Sequence, residues 1–340
     1  MKIAITGASG YIGSHAVDHA LKKGYKVRIL LRNDINRPDW AEKNVEIFKG
    51  DIRNEEALIP FLTGVDYLIH CAAVNTPFSK RRKDILESNV EGVKLVLRTA
   101  QKQGVKKIVY TGSAAALGCA GKGKMNNEDT AFNLWNASTD YERSKYLGEK
   151  AALELFKNEG VPVAIAEPAA AVGPGDVKPT YTGILIMDLI NGKIPAYFDM
   201  RHNFVDVRDV AYGHLLVLEK GNIGERYLLC GNDNIRMSEY FKMICEMTGK
   251  KPPRFVLPLW MVYPMAWGFK LLWKLTGIEP YIRLSTVRRA RLDLHYDNAK
   301  AKQQLGYNPR PLKEAIRDEL QWMIAHGYLK NVALKNNEAD

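Results

Sequence analysis

The chain has only four cysteines in 340 residues: Cys71, Cys119, Cys230 and Cys245. None stands close to another, which argues against a zinc knuckle, a redox dithiol and a disulfide scaffold. No metal centre is read from its histidines. There is no internal repeat, no low-complexity tract and no basic tail. The 49 basic and 38 acidic residues leave a net charge of +11. That excess is spread along the chain, with only short clusters at Lys80-Arg81-Arg82-Lys83 and Arg288-Arg289. Nucleic acid is therefore not the expected partner, and the charge is read as solvated surface plus an anionic cofactor. The N-terminus opens on a strand-like run rather than a basic stretch followed by a long apolar one. No secretory leader is expected, and a cytoplasmic location is the default. What remains is an ordinary globular composition, 46% hydrophobic and 26% charged, long enough to bury a large core.

Short apolar runs alternate with helical patterns through the first half. Strands are expected at 2–6, 26–31, 45–48, 67–71, 107–111 and 161–166, each rich in Val, Ile and Leu with little polar alternation. That is the pattern of parallel strands covered on both faces. Helices are expected at 11–23, 55–62, 84–102 and 141–158. Repeated βα units imply a doubly wound α/β parallel sheet, a Rossmann fold, over residues 1–168. After Pro168 the pattern changes. Gly173-Pro174-Gly175 and Pro179 mark loops, and helices are expected at 182–191, 209–219, 237–247 and 312–325. Residues 169–330 then form a smaller, mostly helical and discontinuous lobe. Strands from 200–230, including 226–230, return to the sheet, and 331–340 form a frayed tail.

Residues 255–275 carry three tryptophans, two prolines and two lysines in an apolar run. Pro258, Pro264, Lys270 and Lys274 argue against a simple membrane span. The segment is read first as a buried helix pair or the wall of an apolar site. An interfacial surface in peripheral contact with a membrane is the other reading.

Thr6-Gly7-Ala8-Ser9-Gly10-Tyr11-Ile12-Gly13 lies between an expected strand and an expected helix. Glycines three apart allow a tight turn, close approach of backbone to a pyrophosphate, and close helix–strand packing. The helix N-terminus offers free N–H groups to phosphates. A plain glycine-rich turn is the alternative. Arg32 follows the second strand, where an NAD binder often has an acidic residue for the ribose. Its guanidinium suits a 2′-phosphate, with Arg37 assisting. NADP(H) is favoured, while Asp34 keeps NAD(H) open. Asp51 can accept from the adenine amino group and Ile52 can pack on the ring, though Asp51 reads equally well as a helix N-cap.

Tyr141 and Lys145 stand four apart, on one face of an expected helix. A free tyrosine is a poor base at neutral pH, and a neighbouring ammonium favours its phenolate. Ser113, just after the fifth strand, can hydrogen-bond a substrate oxygen. The pair alone would be an unremarkable amphipathic helix, but with the glycine loop and Thr111-Gly112-Ser113 it becomes specific.

These residues, with Cys71-Ala72-Ala73, Asn89-Val90, Pro168 and Asn203–Asp209, resemble an extended short-chain dehydrogenase/reductase. The resemblance runs nearly the whole chain, through Leu305-Gly306-Tyr307-Asn308-Pro309. It is strongest to the hopanoid-associated sugar epimerase group, similar to dihydroflavonol reductases and 3β-hydroxysteroid dehydrogenases. It implies Tyr141 as acid/base, with Lys145 lowering its pKa and holding the nicotinamide ribose, and Ser113 orienting the carbonyl. Cys71, Ala72 and Ala73 would line the cofactor; Pro168, Ala169 and Val172 would sit beside the nicotinamide. Asn89 would position Lys145 or a water. A homodimer through 84–102 and 141–158 is also implied. Two positions depart from the pattern. Gly112 replaces a second serine, and Glu167 stands where relatives often have Arg or Asn, an awkward carboxylate for a sugar nucleotide unless it turns into the fold. An NADP(H)-dependent oxidoreductase acting on a ketone or secondary alcohol is the leading expectation, with an apolar or lipid-like small-molecule substrate. A sugar or sugar-nucleotide epimerase or dehydratase with internally recycled cofactor is the alternative.

Overall fold

The computed structural model describes residues 1–33, 45–75, 82–276, 284–292 and 294–335. Asp34, Arg37 and the Lys80-Arg81 pair lie outside the described residues. Seven strands form one sheet: β1 (Lys2–Thr6), β2 (Lys26–Leu31), β3 (Glu46–Lys49), β4 (Tyr67–His70), β5 (Lys107–Thr111), β6 (Val163–Pro168) and β7 (Arg226–Leu229). Their spatial order is β3-β2-β1-β4-β5-β6-β7, every pairing parallel. The order reverses between β1 and β4, which opens a crevice at their carboxyl ends.

The helices used below are α1 (Tyr11–Lys22), α2 (Glu55–Leu62), α3 (Gly92–Lys102), α4 (Asp140–Glu159), α5 (Tyr181–Ile190), α6 (Val207–Lys220), α7 (Met237–Thr248), α8 (Leu259–Thr276) and α9 (Leu312–Ala325). Strand β1 shows why the sheet must be covered twice. Ile3 and Ile5 enter the layer with Ala16 and Val17 of α1 and Leu215 of α6. Ala4 points the other way, into Leu58 of α2, Val96 of α3 and Leu155 of α4. All three β1 side chains are fully buried, so a polar residue on either face of this strand would lose its water with no partner.

The smaller lobe has its own core, built from α5, α7 and α9. It includes a three-stranded sheet in which Arg201–Asp206 runs parallel to Ala170–Val172 and antiparallel to Asn234–Arg236. The lobe is interrupted, because α6 packs on α1 and β7 completes the main sheet beside β6. Residues 207–229 thus belong to the larger domain.

Three expectations need correction. The helix expected over 84–102 is broken: Arg82–Leu86 is followed by a π-helical turn, Glu87–Glu91, before α3 begins. The inserted turn carries Asn89, whose amide bonds to Ser144 and to the Val74 backbone. Residues 255–275 do not make a buried helix pair. They form the short strand Phe255–Val256 and one helix, α8, with Pro264 inside it and most of its side chains exposed. The tail is tied down through Lys335, whose N–H donates to the Met247 carbonyl at 2.8 Å; residues 336–340 lie outside the described residues.

Candidate active site

The residues singled out in the sequence gather at the carboxyl ends of β1 to β6. After β1 the chain turns through Gly7, at φ +72°. A Cβ there would stand 2.6 Å from the Ala72 nitrogen, and one at Gly13 would stand 2.1 Å from the Gly7 carbonyl oxygen. Both glycines are therefore required by close approach, Gly7 to β4's end and Gly13 within the loop itself. The N-cap of α1 is Gly10, with no side-chain cap and no acidic residue in the first turn. Ser9 and Gly10 are exposed, while Tyr11 and Ile12 are half-buried. Uncapped N–H groups and the positive end of the helix thus face open space, as a pyrophosphate site requires.

Arg32 is exposed just past β2. Asp51 is not the cap of α2; Asn54 takes that role, accepting from the Glu56 N–H at 2.9 Å. Asp51 instead forms a forked pair with Arg53, at 3.0 Å and 2.8 Å, which lowers its pKa, with Arg32 contributing. Ile52 is buried in the core against α3. Cys71 and Ala72 are half-buried and Ala73 is exposed beside the glycine loop. Pro168 ends β6, buried, and Ala169 is half-buried after it. Val172 is fully enclosed in the smaller lobe's core, so its place is structural rather than beside a nicotinamide. The residues present fit a dinucleotide: an open helix end and a glycine cradle that a Cβ would fill.

Helix α4 begins in a capping box. The Thr139 N–H donates to Glu142 at 2.6 Å, and the Glu142 N–H donates back to Thr139. This fixes the first turn, and with it the half-buried Tyr141. One turn on, Lys145 is buried and donates to the Thr111 carbonyl at 2.5 Å. That carbonyl is held in turn, because the Thr111 hydroxyl lies 2.9 Å from His214 Nε2 and 3.1 Å from Cys71 Sγ. Ser113, half-buried two residues on, caps the short turn Ala114–Ala116, which packs on α4. Tyr141, Lys145 and Ser113 thus come from adjoining elements around the end of β5. Asn89 reaches Ser144 Oγ at 2.9 Å, so it braces the residue before Lys145 and makes no bond to the lysine itself.

The electrostatics differ from expectation. Burial pushes the Tyr141 phenol up to about 12, helped by Glu142, and Lys145 has no part in that shift. Burial also brings Lys145 down to about 8, opposed by Cys71 and Glu149. In this geometry the ammonium is spent on the Thr111 carbonyl, and Tyr141 is a neutral phenol across the physiological range. It is therefore equipped first as an acid.

Sequence reasoning missed a buried carboxylate cluster behind Lys145. Glu167 is turned into the fold and fully buried, with Glu149 beside it. Arg226 Nη1 lies 2.7 Å from Glu149 and 3.6 Å from Glu167. A Cβ on Gly112 would stand 2.9 Å from Ile165 Cγ2, 3.1 Å from Glu149 Oε2 and 3.3 Å from Glu167 Cγ. The two departures from the family pattern thus meet in space, since a serine at 112 would crowd Ile165 and both carboxylates. One guanidinium neutralises Glu149. Burial and the Glu149 charge then raise Glu167 well above the carboxylate range, so Glu167 keeps its proton. A raised folded-state pKa means that stability is lost as pH rises above the unfolded value. Glu167→Gln, which mimics the protonated form, should raise Tm at pH 8 and change it little near pH 5. A Tm difference that stays constant with pH would contradict this assignment.

The spacing of His15 and His19 resembles a metal pair, but each is otherwise engaged. His15 Nε2 bonds the Pro174 carbonyl at 2.8 Å, and His19 packs against Tyr212. Tyr11 donates to the Gly173 carbonyl at 2.5 Å, and the Gly173 N–H donates to Glu319 at 2.9 Å. The dinucleotide-loop helix is therefore stitched to the smaller lobe.

Comparison with known proteins agrees with this geometry. The model of the NAD dependent epimerase/dehydratase family matches residues 3–230. A Synechocystis sp. protein provisionally named dihydroflavonol 4-reductase is 34% identical over 96% of this chain and 95% of its own length. Sterol demethylase protein B of Methylococcus capsulatus is 29% identical over 97% of this chain and 100% of its own. The crystal structure of gox2253 superposes with a TM-score of 0.88 at 36% identity, covering 97% of this chain and 99% of that one. The chain belongs to the NAD-dependent epimerase/dehydratase family and is an enzyme of the extended short-chain dehydrogenase/reductase type, built for a nicotinamide dinucleotide.

Proposed function

We propose that the protein is an NADP(H)-dependent oxidoreductase that interconverts a ketone and a secondary alcohol on an apolar, lipid-like molecule. The observation that carries this reading is Tyr141, held as a neutral phenol one helical turn from Lys145 at the end of β5. A bound nicotinamide supplies the hydride. The chain's own residues do the rest. The α1 N-terminus and the glycine loop hold the pyrophosphate, and Arg32 takes the 2′-phosphate. Ser113 orients the carbonyl, and Tyr141 gives its phenolic proton to the oxygen as reduction proceeds. Lys145 keeps positive charge beside the site and holds the nicotinamide ribose. The names of the two curated relatives, a flavonoid reductase and a sterol-modifying protein, support a hydrophobic substrate. Pairing of two copies through 84–102 and 141–158 belongs to the same reading.

Arg32 is the test of cofactor choice. Replacing it with Asp should weaken NADPH binding about tenfold or more while leaving NADH little changed, since one charge-assisted contact to phosphate is lost. Fluorescence titration with both nucleotides measures this. Equal weakening of both would remove Arg32 from the 2′-phosphate.

A second reading, epimerisation of a sugar nucleotide with cofactor recycled in place, is favoured by one observation. Glu167 is sequestered, which leaves no carboxylate there to repel a diphosphate.

A further inference from the structure

Helix α8 is apolar on nearly every side, yet only one stripe of it meets the protein. Val262 and Ala266 are buried, and Tyr263 joins them against Val287 and Leu284. The remaining faces carry Trp260, Trp267, Leu271, Leu272 and Leu275, exposed by 51–77%. Phe255 on the adjoining short strand is also exposed. Large apolar side chains gathered on one surface mark a docking site. The charge along this segment has one sign. From Met247 to Ile278 the sequence has no Asp or Glu, but it has Lys250, Lys251, Arg254, Lys270 and Lys274. Lys250, Lys251 and Arg254 are exposed.

The chemistry selects the occupant. A second copy docking through the same face in a two-fold contact would set these cations against their own copies. An anionic lipid surface offers acyl chains to the tryptophans and leucines, and phosphates to the flanking lysines and arginines. No helix of the described residues is long and apolar enough to cross a membrane, so α8 would lie in the interface.

The helix is also coupled to the catalytic element. It packs on Leu284–Arg289, where Arg288 donates to the Asn136 carbonyl at 2.9 Å and Arg289 pairs with Glu142 at 2.9 Å. Glu142 belongs to the capping box that sets Tyr141. A cavity of 350 Å³ opens between Tyr263 of α8, Leu134 and Ala137 of the loop before α4, and Arg288 and Arg291. We propose that α8 docks the enzyme on an anionic bilayer, with the cavity behind it facing the lipid. The docking stands on the surface alone; that the cavity takes substrate from the membrane rests on the function proposed above.

Vesicle sedimentation, without substrate, tests the docking. Wild type should sediment with vesicles of phosphatidylcholine and phosphatidylglycerol in equal parts, with blue-shifted tryptophan emission. Binding should fall on pure phosphatidylcholine and at high salt. The variant Trp260→Ser/Leu271→Gln/Leu275→Gln should lose about a hundredfold in vesicle affinity while retaining wild-type Tm and NADPH binding, because all three side chains face away from the core. Wild type that stays in solution with anionic vesicles would overturn the proposal. So would a dimer that the triple variant dissociates, since a second copy would then be the occupant. Vesicle binding by a protein that reduces no lipid-like ketone would instead sink the proposed function and leave the docking standing.

Discussion

Replacing Tyr141 with Phe should lower kcat for ketone reduction by about 10²–10⁴-fold and leave the affinity for NADPH within about twofold. The expectation follows from position. The side chain lies in the first turn of α4, whose geometry is set by the Thr139–Glu142 box and not by the phenolic oxygen. Phenylalanine keeps the ring and removes only the proton that the substrate oxygen must receive. In the function proposed above, nucleotide binding rests on α1, the glycine loop and Arg32, at other strand ends. Steady-state rates and a binding titration separate the two effects. Loss of NADPH binding together with rate would make Tyr141 a structural residue; retention of full rate would remove it from the chemistry.

Reduction should also lose rate as pH rises through about 8, the value to which burial brings Lys145. The sign is set by the charge. Below that pH the group is an ammonium that keeps positive charge beside the site as the proton is transferred; above it the group is neutral and does not. Tyr141, pushed up to about 12, stays protonated throughout and adds no second limb below pH 9. Lys145→Met should lower kcat/KM by about 10²-fold or more and abolish this descending limb, whereas Lys145→Arg should move it beyond the measurable range. A limb near pH 8 that persists unchanged in Lys145→Met would assign it to another group.

Much of the main domain is legible in the sequence because its determinants are local. Strands β1, β2 and β5 read from short β-branched runs, and the turn after β1 reads from Gly7, Gly10 and Gly13, whose spacing states the steric need that the structure displays. Tyr141 and Lys145 read from helical period. What escapes the sequence depends on partners distant in the chain. The π-turn at Glu87–Glu91 carries Asn89 to Ser144, 55 residues away. The raised pKa of Glu167 follows from its burial and from Glu149, which outweigh the opposing charge of Arg226, contacts that no local pattern in the sequence states. The exposure of α8 is invisible to periodicity, since an all-apolar helix reads the same whether protein or lipid covers it. Val172 and Ile52 fall where a motif would place cofactor contacts, but their side chains point into cores.

The central claim is net redox chemistry with an exchangeable cofactor, and absorbance at 340 nm during turnover tests it most directly. The purified enzyme, stripped of nucleotide, should oxidise added NADPH in proportion to the alcohol formed from a lipid-like ketone, and far more slowly with NADH. A nucleotide that stays bound through purification, with substrate isomerised and no net loss of NADPH, would contradict the account and identify an epimerase.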